Sequence, residues 1–385
     1  MQATLSKEYR EALGRVIAGV VRPQADAVDR EGSFPRAAIT AMGESGLLGL
    51  VSAREAGGLG LGLAQAAEVV GELAQHCGST AMVACMHYAA ATVIEAHAPL
   101  PTRQAVASGR ALATLAFSEA GSRSHFWAPL GTATLDGGNV RLDGKKSWVT
   151  SAGEADLYVW SSRPLHAAGA STLWLVPSDT PGILVSGGFD GLGLRGNRSS
   201  PVSAVGARIG EAAMLGPDGG GFDIMMSTVL PIFQVMNSAV SVGTMEAATR
   251  QAQCHVSGTN LAHLGQNLAD LPTIRAYLAR MRIKTDLARS LVLDTIAAVE
   301  SGRDDAMLRI LEVKAAAGEL ATEVTDLAMR VCGGAAFRKE VGVERRFRDA
   351  RAGAVMAPTT DVLFDFIGRA VCGLPLFEPA GGPSR

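Results

Sequence analysis

The apolar pattern of this chain changes its period twice, and that order of segments restricts the fold more than any single motif. From Leu5 to about Ser108 apolar side chains recur at helical spacing, with Tyr9, Leu13, Val16 and Ile17 on one face. A glycine-rich loop, Glu55-Ala56-Gly57-Gly58-Leu59-Gly60, separates short helices there. Residues 63–77 and 80–97 read as two apolar helices joined by Gly78-Ser79, with Ser79 expected as the N-cap. Between about Ala111 and Gly210 the pattern becomes short alternating or β-branched runs. Residues 131–135 and 140–144 flank Asp136-Gly137-Gly138-Asn139, a hairpin signal, and residues 157–160 and 172–176 read as buried strands. After Gly219-Gly220-Gly221-Phe222 helical spacing returns and holds nearly to Leu374, with long runs over 271–300 and 304–331.

The expected fold class is therefore α+β: an N-terminal helical domain over 1–110, a middle antiparallel β-barrel or sandwich over 111–215, and a C-terminal helical bundle over 216–385. No βαβ alternation occurs, and no glycine-rich turn precedes a phosphate-cradling helix, so a Rossmann domain is not expected. A length of 385 residues with 48% hydrophobic and 19% charged side chains supports a large core divided among two or three units. The net charge of −2 gives no footprint for nucleic acid or an anionic membrane, leaving small organic substrates or protein partners. The first residues carry acidic side chains and read as no signal peptide, and no long uninterrupted apolar run predicts a transmembrane helix. Cys77, Cys85, Cys254, Cys332 and Cys372 are scattered without a CxxC pair, which fits reduced thiols in a cytoplasm and no zinc or disulfide framework.

Three stretches carry a family likeness. Residues 331–359 pair Gly333-Gly334 with Arg348-Asp349-Ala350; Phe117-Ser118-Glu119-Ala120-Gly121-Ser122 forms a second stretch, and Lys146-Ser147-Trp148-Val149-Thr150-Ser151-Ala152-Gly153 a third. Together with the order of segments they resemble the acyl-CoA dehydrogenase superfamily over essentially the whole chain. The resemblance implies FAD as cofactor, with Trp148 beside the flavin ring and the Thr150 hydroxyl near N5. It places Phe117, Ser118, Ser122, Gly333, Gly334 and Thr359 among the cofactor-binding positions. It also implies a homotetramer or homodimer, and a substrate that is an acyl thioester on CoA or on a carrier protein.

The family's Tyr-Glu-Gly-Thr motif falls on Met356, Ala357, Pro358 and Thr359, so the glutamate that removes the substrate's α-proton is replaced by a methyl group. The alternative family site for that glutamate falls on Phe233, a neighbouring family arginine on Gln234, and a cofactor-facing arginine and glutamine on Leu261 and Pro272. His87 and His125 are the candidates for substitute acid-base chemistry, each set against a plain reading as core or loop histidine. Asp361 is expected to cap a helix beginning at Val362, and the charged cluster 344–349 to form ion pairs that fix a turn. Three functions stay open: a thioester dehydrogenase with another base, a flavin monooxygenase of the same superfamily, and a non-redox homologue.

Overall fold

The computed structural model describes residues 2–377. Its first layer contains helices α1 (Gln2–Val16), α2 (Arg22–Glu31), α3 (Arg36–Glu44), α4 (Leu63–Ala74), α5 (Gly78–His97) and α6 (Leu100–Ala107). Tyr9, Leu13, Val16 and Ile17 are all buried, as their spacing requires. α5 is apolar around its whole circumference and is accordingly a core helix, packed on α4 and on the strands that follow. Ser79 does not cap it. The N-cap is Cys77, and the Ser79 hydroxyl accepts the Gly196 amide at 3.1 Å, because a tertiary donor reaches it from the next domain.

The middle domain is built from β1 (Ala113–Ala116), β2 (Thr132–Asp136), β3 (Asn139–Val149), β4 (Leu157–Ser162), β5 (Thr172–Pro177), β6 (Ile183–Val185), β7 (Ser200–Gly210) and β8 (Met214–Leu215). They form two four-stranded sheets, ordered β1-β4-β5-β8 and β2-β3-β7-β6. The expected hairpin joins β2 and β3, and Gly137 and Gly138 both take positive φ, 59° and 81°, as a tight two-residue turn demands. One pairing departs from the antiparallel expectation: β1 and β4 run parallel, with Ala113 opposite Leu157. The chain leaves the first sheet after β1, builds the β2–β3 hairpin in the second, and returns in the same direction.

The last layer holds α7 (Gly221–Ile224), α8 (Leu230–Gly258), a small hairpin of β9 (Asn260–Leu261) and β10 (Gln266–Asn267), then α9 (Pro272–Ser301), α10 (Ala306–Cys332), α11 (Val343–Val355) and α12 (Thr360–Val371). Pro272 opens α9, where its missing N–H costs nothing, and Gly302 closes it in the left-handed conformation. The continuous helical stretch Gly221–Gly258 is long and apolar enough to span a bilayer by composition, yet 72% of its most apolar window is buried in the protein. It is the central helix of the bundle, enclosed by α4, α5, α9, α10 and α11.

The charged cluster on α11 anchors that helix to the rest of the fold. Arg348 pairs with Asp29 and with Glu344, Arg346 donates to the Ala74, Gln75 and His76 carbonyls at the end of α4, and Asp349 accepts the Leu194 amide at 2.7 Å. Asp361 is a first-turn residue of α12, whose N-cap is Thr359, so the expected Asp361 cap does not form.

Candidate active site

The three layers meet around a cavity of about 60 Å³. α5 contributes Met86, β1 contributes Leu115, and Phe117 and Ser118 follow directly from its end. Phe126 comes from the β1–β2 loop and Trp148 from β3, while the entrance to α8 supplies Val229, Leu230 and Phe233. Ala357, on the α11–α12 connection, completes the wall. Ser118 is the one lining residue with a polar side chain besides the Trp148 indole, and none of the ten is ionisable.

A bulge in β3 sets the direction of Trp148. Val140, Leu142 and Lys146 point inward at alternating positions, and strict alternation would send Trp148 inward too. Between the pairs Lys146–Val202 and Val149–Ser200, however, β3 carries two residues and β7 only Pro201. The extra residue inverts the phase, so Val149 is buried while Trp148 is 62% exposed. The indole lies against Phe189, with ring centres 4.1 Å apart. Ser118 is fixed from the same strand, its carbonyl accepting the Ser147 amide at 2.8 Å and the Ser147 hydroxyl at 3.2 Å.

Beneath this wall lies a buried ion pair. Lys146 Nζ donates to Glu119 at 2.6 Å, to the Ser161 carbonyl at 2.8 Å and hydroxyl at 2.9 Å, and to the Phe117 carbonyl at 3.3 Å. Glu119 in turn accepts the Leu130 and Gly131 amides, so one pair ties β3, β4 and both ends of the β1–β2 loop together. Burial lowers the Lys146 pKa to about 8, and Glu119 opposes that shift.

A second buried lysine holds the Ala357 segment. Lys314, on α10, donates to the Met356 carbonyl at 2.9 Å and the Pro358 carbonyl at 2.7 Å, bracketing Ala357. Burial pushes its pKa down to about 7 from 10.5. The folded chain therefore gives up this proton at lower pH than the unfolded chain, and Lys314 makes stability rise with pH between those two values. Urea denaturation at neutral pH and at about pH 10 should show that rise, and Lys314→Met should flatten it.

His87 is a core residue. It is fully buried, its Nδ1 accepts the Ala113 amide at 3.1 Å, and its Nε2 lies 3.1 Å from the Leu48 carbonyl, so the proton resides on Nε2. Burial lowers its pKa to about 4, which makes it a neutral clamp between α5 and β1 and removes it from the acid-base candidates. His125 is exposed, edge-on to Trp127 at 5.1 Å, while its neighbour Phe126 takes the cavity position. Neither histidine lines the cavity.

Of the cofactor positions read from the sequence, Phe117, Ser118 and Trp148 share the cavity. Thr150 lies beyond them, 2% exposed, its hydroxyl 3.4 Å from that of Ser199. Ser122 sits in the β1–β2 loop with a buried hydroxyl that has no hydrogen-bond partner among the described residues. Ser124 links this loop to Thr359, accepting the Thr359 amide at 2.8 Å. Gly333 and Gly334 are exposed at the end of α10, with nothing within 4 Å of where either Cβ would stand.

Family models for the acyl-CoA dehydrogenase N-terminal, middle and C-terminal domains match residues 5–105, 114–205 and 219–372. The bovine (Bos taurus) mitochondrial short-chain specific acyl-CoA dehydrogenase is 30% identical over 88% of this chain and 83% of its own. The chain belongs to the acyl-CoA dehydrogenase family. Acryloyl-CoA reductase (NADH) of Anaerotignum propionicum is 27% identical over 96% of this chain and 95% of its own. The fold is also that of butyryl-CoA dehydrogenase from Megasphaera elsdenii, with a TM-score of 0.89 at 21% identity, covering 96% of this chain and 98% of that one. This acyl-CoA dehydrogenase-like protein is thus an oxidoreductase of a flavoprotein family.

The residues that sequence reading passed over are buried polar ones: Lys146 and Glu119 as a pair, Lys314 and Asn237, while Gln234 was marked only as the place of a family arginine. Lys314 left a signal, since it interrupts an otherwise apolar stripe of Ile310, Leu311, Val313, Ala317 and Ala321 on α10. Gln234 and Asn237 likewise stand among apolar neighbours on α8.

Proposed function

We propose that this acyl-CoA dehydrogenase-like protein holds FAD along the middle domain and acts on an acyl thioester, carried by CoA or a carrier protein, without a side-chain carboxylate to remove the α-proton. One observation supports this most: Ala357 lines a cavity with no ionisable side chain. Proton transfer to a positioned side chain contributes roughly 10²- to 10⁴-fold, and no side chain at this cavity can supply it.

The residues present fit a flavin at the cavity and its rim. The Trp148 indole is exposed, the Ser122 hydroxyl lacks a partner among the described residues, and Gly333-Gly334 leaves backbone open to close approach. A bound flavin would supply a two-electron acceptor there. Trp148 and Phe117 would flank its ring, Ser118 would offer its hydroxyl, and Ser122 and Thr359 would serve the outer part of the cofactor. The 261–265 turn between β9 and β10 has no arginine, so that turn offers the cofactor no cationic clamp.

The test is the visible spectrum of the purified protein followed by addition of butyryl- or octanoyl-CoA. Flavin absorbance with little bleaching is expected. Robust turnover of either thioester overturns the base-free reading, and a colourless protein that takes up no added FAD overturns the cofactor. Thr150→Val keeps shape and removes the hydroxyl, and should shift the flavin spectrum or slow flavin reduction without loss of fold. No change in either property takes Thr150 out of the site.

The same base-free apolar cavity favours a second reading, flavin-dependent monooxygenation. Oxygenated product formed with a flavin reductase, NADH and oxygen separates it from thioester dehydrogenation. Assembly as a homotetramer or homodimer is supported by apolar side chains left exposed on the last layer, Ile283 and Leu287 on α9 with Phe337, Val355 and Val371. Light scattering that shows a stable monomer contradicts it. The five free thiols are in keeping with a cytoplasmic location.

A further inference from the structure

The segment after α12 turns back over the outside of the cavity wall. Gly373 takes a positive φ of 68°, the Leu374 amide donates to the Arg369 carbonyl at 2.8 Å, and the reversed chain brings Phe377 against three other rings. The Phe377 ring centre lies 5.1 Å from that of Phe222, 5.3 Å from that of Phe366 and 5.4 Å from that of Trp127. All three contacts are edge-to-face, an arrangement that the ring quadrupoles favour.

The partners belong to three different parts of the fold. Phe222 stands on α7, Phe366 on α12 and Trp127 on the β1–β2 loop, so Phe377 is the point at which the three are joined. From Trp127 the ring contacts continue inward: Trp127 meets Phe126 at 5.2 Å, and Phe126 lies parallel to Phe117 at 6.3 Å. Phe126 and Phe117 line the cavity, whereas Trp127 and Phe377 do not. On the other side, Val229 and Leu230 also line it, and they follow Phe222 along the same continuous helical stretch.

Phe377 can therefore act on the cavity only through other side chains. Trp127 and Phe126 are both buried, and in a close-packed interior neither ring moves outward unless the space behind it is free. The Phe377 ring fills that space behind Trp127. We propose that Phe377 is a positioning residue that sets the width of the acyl cavity from outside, bracing Trp127 and through it the Phe126 wall. This rests on the thioester reading above and deepens it, because the brace discriminates among acyl chains by their length. With the ring removed, Trp127 and Phe126 recede and the cavity admits a longer apolar tail.

The experiment measures binding of butyryl-CoA and octanoyl-CoA by titration calorimetry to the full chain with FAD present, for the unmodified protein, Phe377→Ala and Phe377→Tyr. Phe377→Ala should shift the ratio of the two affinities toward octanoyl-CoA by about tenfold, roughly what one methylene is worth in an apolar pocket. Phe377→Tyr keeps the ring and should return the ratio to that of the unmodified protein. An unchanged ratio in Phe377→Ala, or a fall of both affinities by the same factor, shows a ring that only supports the fold; either overturns the positioning role and leaves the thioester reading standing. If Phe377→Ala does not fold, Phe377→Leu, which keeps apolar bulk without a flat ring, should show a smaller shift in the same direction, and no shift overturns the proposal. Binding of neither thioester by the unmodified chain overturns the thioester reading and this inference together.

Discussion

Ala357→Glu should give the protein an α,β-dehydrogenase activity on butyryl-CoA that the unmodified chain lacks, raised by roughly 10²- to 10⁴-fold. Ala357 lines the cavity, and its carbonyl neighbours Met356 and Pro358 are held by Lys314, so a longer side chain at 357 enters the cavity from a fixed backbone. The apolar wall of Leu230, Phe233, Phe117 and Phe126 will hold the new carboxyl above the ordinary glutamate range. As a base it works only when ionised, so the rate should climb as pH rises through that elevated value. Stopped-flow bleaching of the flavin by butyryl-CoA across pH measures both effects. A variant that folds, binds FAD and binds the thioester, yet bleaches no faster than the parent, places the catalytic defect elsewhere than at residue 357.

How much of this was legible in the sequence follows from which forces act locally. Periodicity carried the layers, because helices and strands bury one face at a fixed repeat: Tyr9, Leu13 and Val16 are inward, and the Gly137-Gly138 turn pairs β2 with β3. Capping was misread at Ser79 and Asp361, since both are small polar residues near a helix start whose actual role was settled by tertiary partners and by the turn before them. The parallel pairing of β1 with β4 depends on which sheet the intervening hairpin joins, a choice made between distant segments.

The site divides the same way. The sequence marked Phe117, Ser118, Trp148 and Ala357 as neighbours through family likeness, and the fold brings all four to one cavity. Alternation alone would have turned Trp148 into the core, because the bulge opposite Pro201 leaves no mark in the period of β3. The buried polar residues were the least legible. Lys145 and Lys146 are adjacent and chemically identical, yet one is exposed and the other fully buried: strand alternation turns Lys146 inward, and the Glu119 carboxylate on the β1–β2 loop supplies the counter-charge that lets it stay there.

That pair supports the prediction with the largest effect on stability. Lys146→Met should lower the unfolding free energy by about 3–5 kcal/mol, because it leaves the Glu119 carboxylate buried with only the Leu130 and Gly131 amides to hold it. The loss reaches the cavity, since Lys146 also bonds the Phe117 carbonyl beside Ser118. Glu119→Gln is milder in shape but leaves the ammonium at 146 without its counter-charge, and should destabilise in the same direction. Lys146→Met combined with Glu119→Gln removes both charges, and should recover part of what Lys146→Met loses, because a buried neutral pair carries no uncompensated charge. Urea denaturation of the four proteins closes the cycle. Additive losses in the double variant would mean that the two side chains act independently, and that the β1–β2 loop is held by its backbone contacts with no contribution from the ion pair beneath it.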